Sequence, residues 1–157
     1  MRLVVLSVMK VLDVMTRQPT CCIPEDTLET AARRMLECDC GALPVVGDLD
    51  RFPIGIITDR DIVVRGVASP QGAQLRVRDC MTAPAITVTE ETDLDDCIEL
   101  LERAQIRRMI VVDDRDRCTD IVAQADITSH TSKRKTGELL RSVSRPSMTG
   151  EPMFART

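Results

Sequence analysis

Two stretches of the chain carry apolar residues at helical spacing. In "TLETAARRML" (residues 27–36) they are Leu28, Ala31, Ala32 and Met35, and in "DLDDCIELLE" (residues 93–102) they are Leu94, Cys97, Ile98 and Leu101. Both sets follow i, i+3, i+4, i+7, which predicts two amphipathic helices with charged outer faces. After each helix come two short apolar runs, predicting strands at 43–46 and 54–58, then at 109–113 and 118–123. "PVV" and "IGII" are too apolar for a half-solvated surface and should be buried. Shorter strands are predicted at 21–23 and 85–88, short helices around "VLDVMT" and "VRDCMT", and final helices from Asp59 and Gln124. The turn-rich "GDLDRFP" joins the first strand pair.

These elements are one unit written twice. "VLDVMT" recurs as "VRDCMT" 66 residues later, the long helices match at the same offset, "ALPVVGD" pairs with "RMIVVDD", and "GIITDRDI" pairs with "DIVAQADI" at 65. The units span residues 9–70 and 75–130, joined by "GVASPQGAQ" (66–74) and followed by a tail, 131–157. A unit of about 60 residues buries only about 60% of its unfolded surface, so each needs its twin to complete a core.

The Thr58-x-x-Asp61 of the first unit admits two readings from its residues. As a cap, Thr58 at the N-cap and an acid at N3 satisfy backbone donors, worth about 0.5–2 kcal/mol. As a grip, a carboxylate at a helix start accepts from both hydroxyls of a ribose, and a hydroxyl with free helix-start amides holds a phosphate. Arg60 would add charge, and Gly55 would let a ligand or a neighbouring backbone come close. In the second unit Ala123 replaces the hydroxyl while Asp126 keeps the acid.

The duplicated β-α-β-β-α unit, with D-x-M-T at its start and G-h-h-T-x-x-D at its end, resembles the CBS domain. Two in tandem resemble the small stand-alone CBS-pair proteins of bacteria. The resemblance implies an α+β fold of two units packed with pseudo-twofold symmetry through their sheets, self-associating as a homodimer. It implies a non-catalytic regulatory module that binds an adenosine-type nucleotide (AMP, ADP or ATP, with NAD or S-adenosylmethionine as further options) between the repeats. Thr58 and Asp61 would hold ribose and phosphate, and Ile23, Ala42 and Pro44 would wall the adenine slot. The second unit departs from the pattern: Asp120 stands for the glycine and Ile110 for the proline. A second site near Asp126 would need Arg107 and Arg108 as compensating cations, unless these are plain surface charges.

Composition narrows the classes further. Aromatics are nearly absent, Phe52 and Phe154 being the two present, so the core is aliphatic and base-stacking platforms for single-stranded nucleic acid are not provided. No catalytic constellation accompanies His130, the one histidine, and there is no phosphate-binding glycine loop. The apolar run 3–9 is too short to span a bilayer, lacks a small-residue cleavage site, and reads as an extra strand or an extension. A cytoplasmic protein without membrane contact is the expectation. The seven cysteines (21, 22, 38, 40, 80, 97, 118) form no C-x-x-C pair and predict no disulfide framework. Zinc on Cys21, Cys22, Cys38 and Cys40 is disfavoured, because adjacent cysteines chelate one tetrahedral ion poorly, and no metal is expected. A redox response through these four is a further reading, as is a ligand-free scaffold for a protein partner. The tail holds six basic residues against Glu138 and Glu151, a net +4 on a chain of −4, so the body carries −8. "GELLRSVSRP" predicts a short tail helix docking on an acidic body through Leu139, Leu140 and Val143.

Overall fold

The computed structural model describes residues 8–17 and 19–130. The expected strand near the N-terminus and the tail helix at 137–146 lie outside these residues. In chain order the elements are β1 (Thr16–Arg17), α1 (Leu28–Glu37), β2 (Ala42–Val46), β3 (Pro53–Thr58), α2 (Asp59–Asp61), α3 (Val77–Cys80), β4 (Thr87–Thr89), α4 (Leu94–Ala104), β5 (Arg108–Val112), β6 (Cys118–Ala123) and α5 (Gln124–His130). A 3-10 turn at Val11–Asp13 precedes β1, and α2 runs into a π-helical segment, Ile62–Val67.

The long helices form for the reason their spacing gives. Leu28, Ala31 and Met35 of α1 and Leu94, Cys97 and Leu101 of α4 are buried at matching positions. Thr27 caps α1, its hydroxyl accepting from the Thr30 amide at 3.1 Å. Both helices stop where the chain turns left-handed, at Asp39 (φ 49°) and Gln105 (φ 53°). The turn at Asp39 brings Cys38 and Cys40 together as a disulfide, a pair that the expectation of no disulfide framework did not include.

The sheets show how the repeats cooperate. In the second repeat β4 runs parallel to β5, and β5 antiparallel to β6. The fourth strand of that sheet is β1, from the first repeat, with Thr16 opposite Ile121 and Arg17 opposite Asp120. In the first repeat β2 and β3 pair antiparallel, Cys22 bridges to Val45 in parallel, and Thr82 of the second repeat bridges to Ile56. Each D-x-M-T segment therefore leaves its own unit and closes the edge of the other unit's sheet.

The short helices are exchanged with them. The amides of Val11 and Leu12 donate to the carbonyls of Thr92 and Glu90, and those of Val77 and Arg78 donate to Asp26 and Pro24. Val11 and Val14 pack in one core with Val88, Leu94, Leu101, Met109 and Val122, whereas Val77 and Cys80 pack with Leu28, Met35, Leu43 and Ile57. A third cluster (Val46, Ile110, Val112 and Cys118) joins the two sheets. The strand expected at 21–23 shrinks to the single bridge at Cys22, since Ile23 already turns towards α1 with its amide bonded to the Asp26 carboxylate at 2.9 Å.

Candidate functional site

β3 delivers Thr58 to the start of α2, and the cap predicted there forms. The Asp61 amide donates to Thr58 Oγ1 at 3.1 Å, the Thr58 amide donates to Asp61 Oδ2 at 3.0 Å, and the Thr58 hydroxyl donates to the same oxygen at 2.7 Å. The other carboxylate oxygen, Oδ1, lies 3.5 Å from Arg65 NH1. Arg65 also donates to the Cys80 carbonyl at 3.0 Å and the Met81 carbonyl at 3.2 Å. It ties the helix start to the exchanged segment of the second repeat. Oδ1 thus keeps acceptor capacity beyond the cap.

A cavity of about 450 Å³ opens beside this helix start. Thr58, Asp59, Arg60 and Asp61 form one side, while Thr82, Ile86, Arg107, Arg108 and Ile110 form the other. The hollow is composite, its acid and hydroxyl from the first repeat and its apolar wall from the second. Cations surround it: Arg60 and Arg107 are exposed, and Arg108 is half-buried. Gly55 makes the closure feasible, because a Cβ there would stand 2.5 Å from the Thr82 carbonyl oxygen. The π-helical segment packs close to α1 for a similar reason, a Cβ on Gly66 meeting Leu28 at 2.5 Å.

Of the residues singled out from the sequence, Thr58, Arg60, Asp61 and Arg108 share this cavity. Ile23, Ala42 and Pro44 are not among those that line it. β5 of the second repeat faces α2 of the first, so Ile110, the counterpart of Pro44, and Arg108, the counterpart of Ala42, line it. For the same reason Arg107 and Arg108 border the Asp61 cavity, whereas Asp126 lies outside it. The Asp126 carboxylate accepts from the Ala123 amide at 2.8 Å, a cap with no hydroxyl. Arg65, Thr82 and Ile86 were not singled out. The i, i+4 spacing of Asp61 and Arg65 is the signal that pointed to the first of them.

Asp120 replaces the glycine at the matching position of β6. It is fully buried, with Oδ1 accepting from the Ile121 amide at 2.7 Å and Oδ2 without a partner. Burial pushes its carboxyl up to about 6, the Ile121 bond and Arg17 opposing and Glu90 and Asp126 reinforcing. It does not line the Asp61 cavity. Among the described residues no cluster of three or more His, Cys, Asp or Glu is arranged to hold a metal ion, and no helix is long and apolar enough to cross a membrane.

Comparison with known proteins accounts for this architecture. The family model for the CBS domain matches twice, at residues 11–66 and 77–133. The uncharacterized protein YlbB of Bacillus subtilis is 32% identical over 136 residues, 86% of this chain and 91% of YlbB. Hypoxic response protein 1 of Mycobacterium tuberculosis is 32% identical over 135 residues, covering 85% and 93% of the two chains. A crystal structure of Hypoxic Response Protein I with two coordinated zinc ions superposes with a TM-score of 0.65 at 34% identity, over 79% of this chain and all of that one. The CBS domain pair of protein MJ0100, in complex with 5'-methylthioadenosine and S-adenosyl-L-methionine, superposes with a TM-score of 0.71 at 25% identity, covering 78% and 95%. With two matching units in the expected order, each paired along one sheet edge with the other, the chain belongs to the CBS domain family.

Proposed function

We propose that this protein is a regulatory module that binds an adenosine-type nucleotide in the composite cavity at Thr58 and Asp61. One observation carries the reading: a carboxylate, a hydroxyl at a helix start and three arginines converge on one hollow whose far wall is apolar. Its volume falls in the range of small-molecule sites. Asp61 Oδ1 is available to a ribose hydroxyl, and Arg60, Arg107 and Arg108 are suited to phosphate. Ile86, 44% exposed, offers a purine an aliphatic face in place of aromatic stacking. The bound adenosine derivatives of the MJ0100 pair support the ligand class.

Binding would act by favouring one arrangement of the exchanged segments, since Thr82 both lines the cavity and closes the sheet of the first repeat. The module assembles as a homodimer in this reading, supported by Val63, Val64 and Val67, which stand exposed on the π-helical segment. It works in the cytoplasm and passes its signal to a protein partner. Calorimetric titration with AMP, ADP, ATP, NAD and S-adenosylmethionine tests it. A dissociation constant well below millimolar is expected for at least one of them. Binding no tighter than about millimolar, roughly −4 kcal/mol, for all of them would remove the sensor reading in favour of a scaffold.

A further inference from the structure

A second hollow, about 740 Å³, is lined by residues of both repeats that the nucleotide reading leaves unused, among them Arg17, Cys21, Arg51, Glu90 and Cys118. Its geometry centres on two sulfurs and one guanidinium. Arg51 NH2 lies 3.4 Å from Cys21 Sγ, and its Nε donates to the Cys118 carbonyl at 3.2 Å. The Cys118 amide returns a bond to the Arg51 carbonyl at 3.0 Å. Arg51 is thereby anchored by the backbone of one cysteine while its charge is aimed at the sulfur of the other. The Cys21 thiol donates to the Pro19 carbonyl at 3.4 Å and the Cys118 thiol to the Asp120 carbonyl at 3.8 Å, and both cysteines line the hollow. Cys118 is 2% exposed in the cluster between the sheets, and Cys21 packs against that cluster, half-buried beside the hollow.

The two thiols are unequal. The neighbouring Cys118 side chain, helped by Arg51 and Arg34 and opposed by desolvation, lowers Cys21 to about 7, while Cys118 is driven upward and stays protonated. A thiolate with access to a cavity is a nucleophile, and a neighbouring protonated thiol is a resolving group. Simple core filling explains a buried Cys118, but not a guanidinium directed at Cys21.

We propose that Cys21 and Cys118 form an oxidant-reactive pair that hydrogen peroxide converts to a disulfide between the repeats. The Cys21 thiolate attacks one peroxide oxygen, the O–O bond breaks, and the departing hydroxide takes up a proton as water, leaving Cys21 as a sulfenic acid. The Cys118 thiol then attacks that sulfur. The S–S bond forms, the S–O bond breaks, and the hydroxyl leaves as a second water with the Cys118 proton. Two thiols lose two electrons in all, and one peroxide becomes two waters.

The test is peptide mapping of the full chain after reduction, removal of reductant, exposure to hydrogen peroxide and alkylation of remaining thiols. Trypsin places Cys21 and Cys22 on residues 18–33, Cys118 on 118–133, and the Cys38–Cys40 pair on 35–51, so the three are read separately. The expected product joins 18–33 to 118–133 and is lighter by two hydrogens than the separate peptides. It should persist in Cys22→Ser and vanish in Cys21→Ser. In Cys118→Ser, dimedone should instead label Cys21. Arg51→Asn, which keeps a residue tolerant of the left-handed turn there (φ 56°), should slow oxidation of Cys21 at pH 7 several-fold. Full alkylation of Cys21 after excess peroxide, or a crosslink that survives in Cys21→Ser, overturns the proposal.

Discussion

Thr82 and Ile56 exchange two backbone hydrogen bonds, the Ile56 amide donating to Thr82 at 3.0 Å and the Thr82 amide donating back at 2.8 Å. They belong to different repeats, and both line the cavity beside Asp61. The contact that completes the sheet of the first unit is therefore also part of the wall of its site.

Gly55 tests that link. Any side chain there collides with the Thr82 carbonyl, and backbone cannot swing aside as a flexible side chain can. Gly55→Ala is expected to lower the unfolding free energy by about 1–3 kcal/mol and to weaken nucleotide binding as well. Urea denaturation and calorimetry on the same preparation check both. Wild-type stability would mean that the Thr82 strand is more loosely held than its hydrogen bonds indicate.

Asp61 and Asp126 separate gripping from capping. Asp61→Ala should weaken nucleotide binding roughly ten- to hundredfold, as for one lost charge-assisted bond, and should also cost stability through the cap. Asp126→Ala should cost only stability. Equal affinity in wild type and Asp61→Ala, beside a clear loss of stability, would assign Asp61 to the cap alone.

The arginines predict a ranking. If Arg60, Arg107 and Arg108 meet phosphates, affinity should rise from adenosine to AMP to ATP and fall with added salt. Arg108→Ala should compress that ranking by about tenfold for ATP and leave adenosine nearly unaffected. A ligand series blind to phosphate number would assign these cations to the surface.

Asp120 makes stability depend on pH. Its folded value of about 6 lies above the ordinary 3.8, so folding favours the protonated form. The contribution is fully present below the ordinary value and is lost as pH rises through about 6, an effect of roughly 2–3 kcal/mol. Asp120→Asn should be more stable than wild type at pH 7.5 and show a flatter profile between pH 4 and 7. Denaturant titrations at several pH values decide it, and parallel profiles would show that the buried carboxyl is solvated after all.

Most of the fold was legible because it rests on local pattern. The helical spacing of Leu28, Ala31 and Met35 and its copy in α4, the apolar strands, and the Thr58–Asp61 cap all follow from neighbours in sequence. The partner of each D-x-M-T segment was not legible, since nothing in "VLDVMT" says whether Thr16 pairs with its own β3 or with β6. That one ambiguity hid Ile86 and Thr82, which line the cavity where Ile23, Ala42 and Pro44 do not. The closeness of Cys21 to Cys118 was invisible for the same reason, 97 residues of chain separating them.

The crossed pairing of Thr16 with Ile121 and of Thr82 with Ile56 means that neither repeat is a portable building block. A protease nick between Ser69 and Gln71 should leave the two fragments clasped through two sheet edges and two core plugs. Either fragment produced alone would lose a sheet-edge partner and two or more buried side chains at once, so the halves of this gene are bound to travel together.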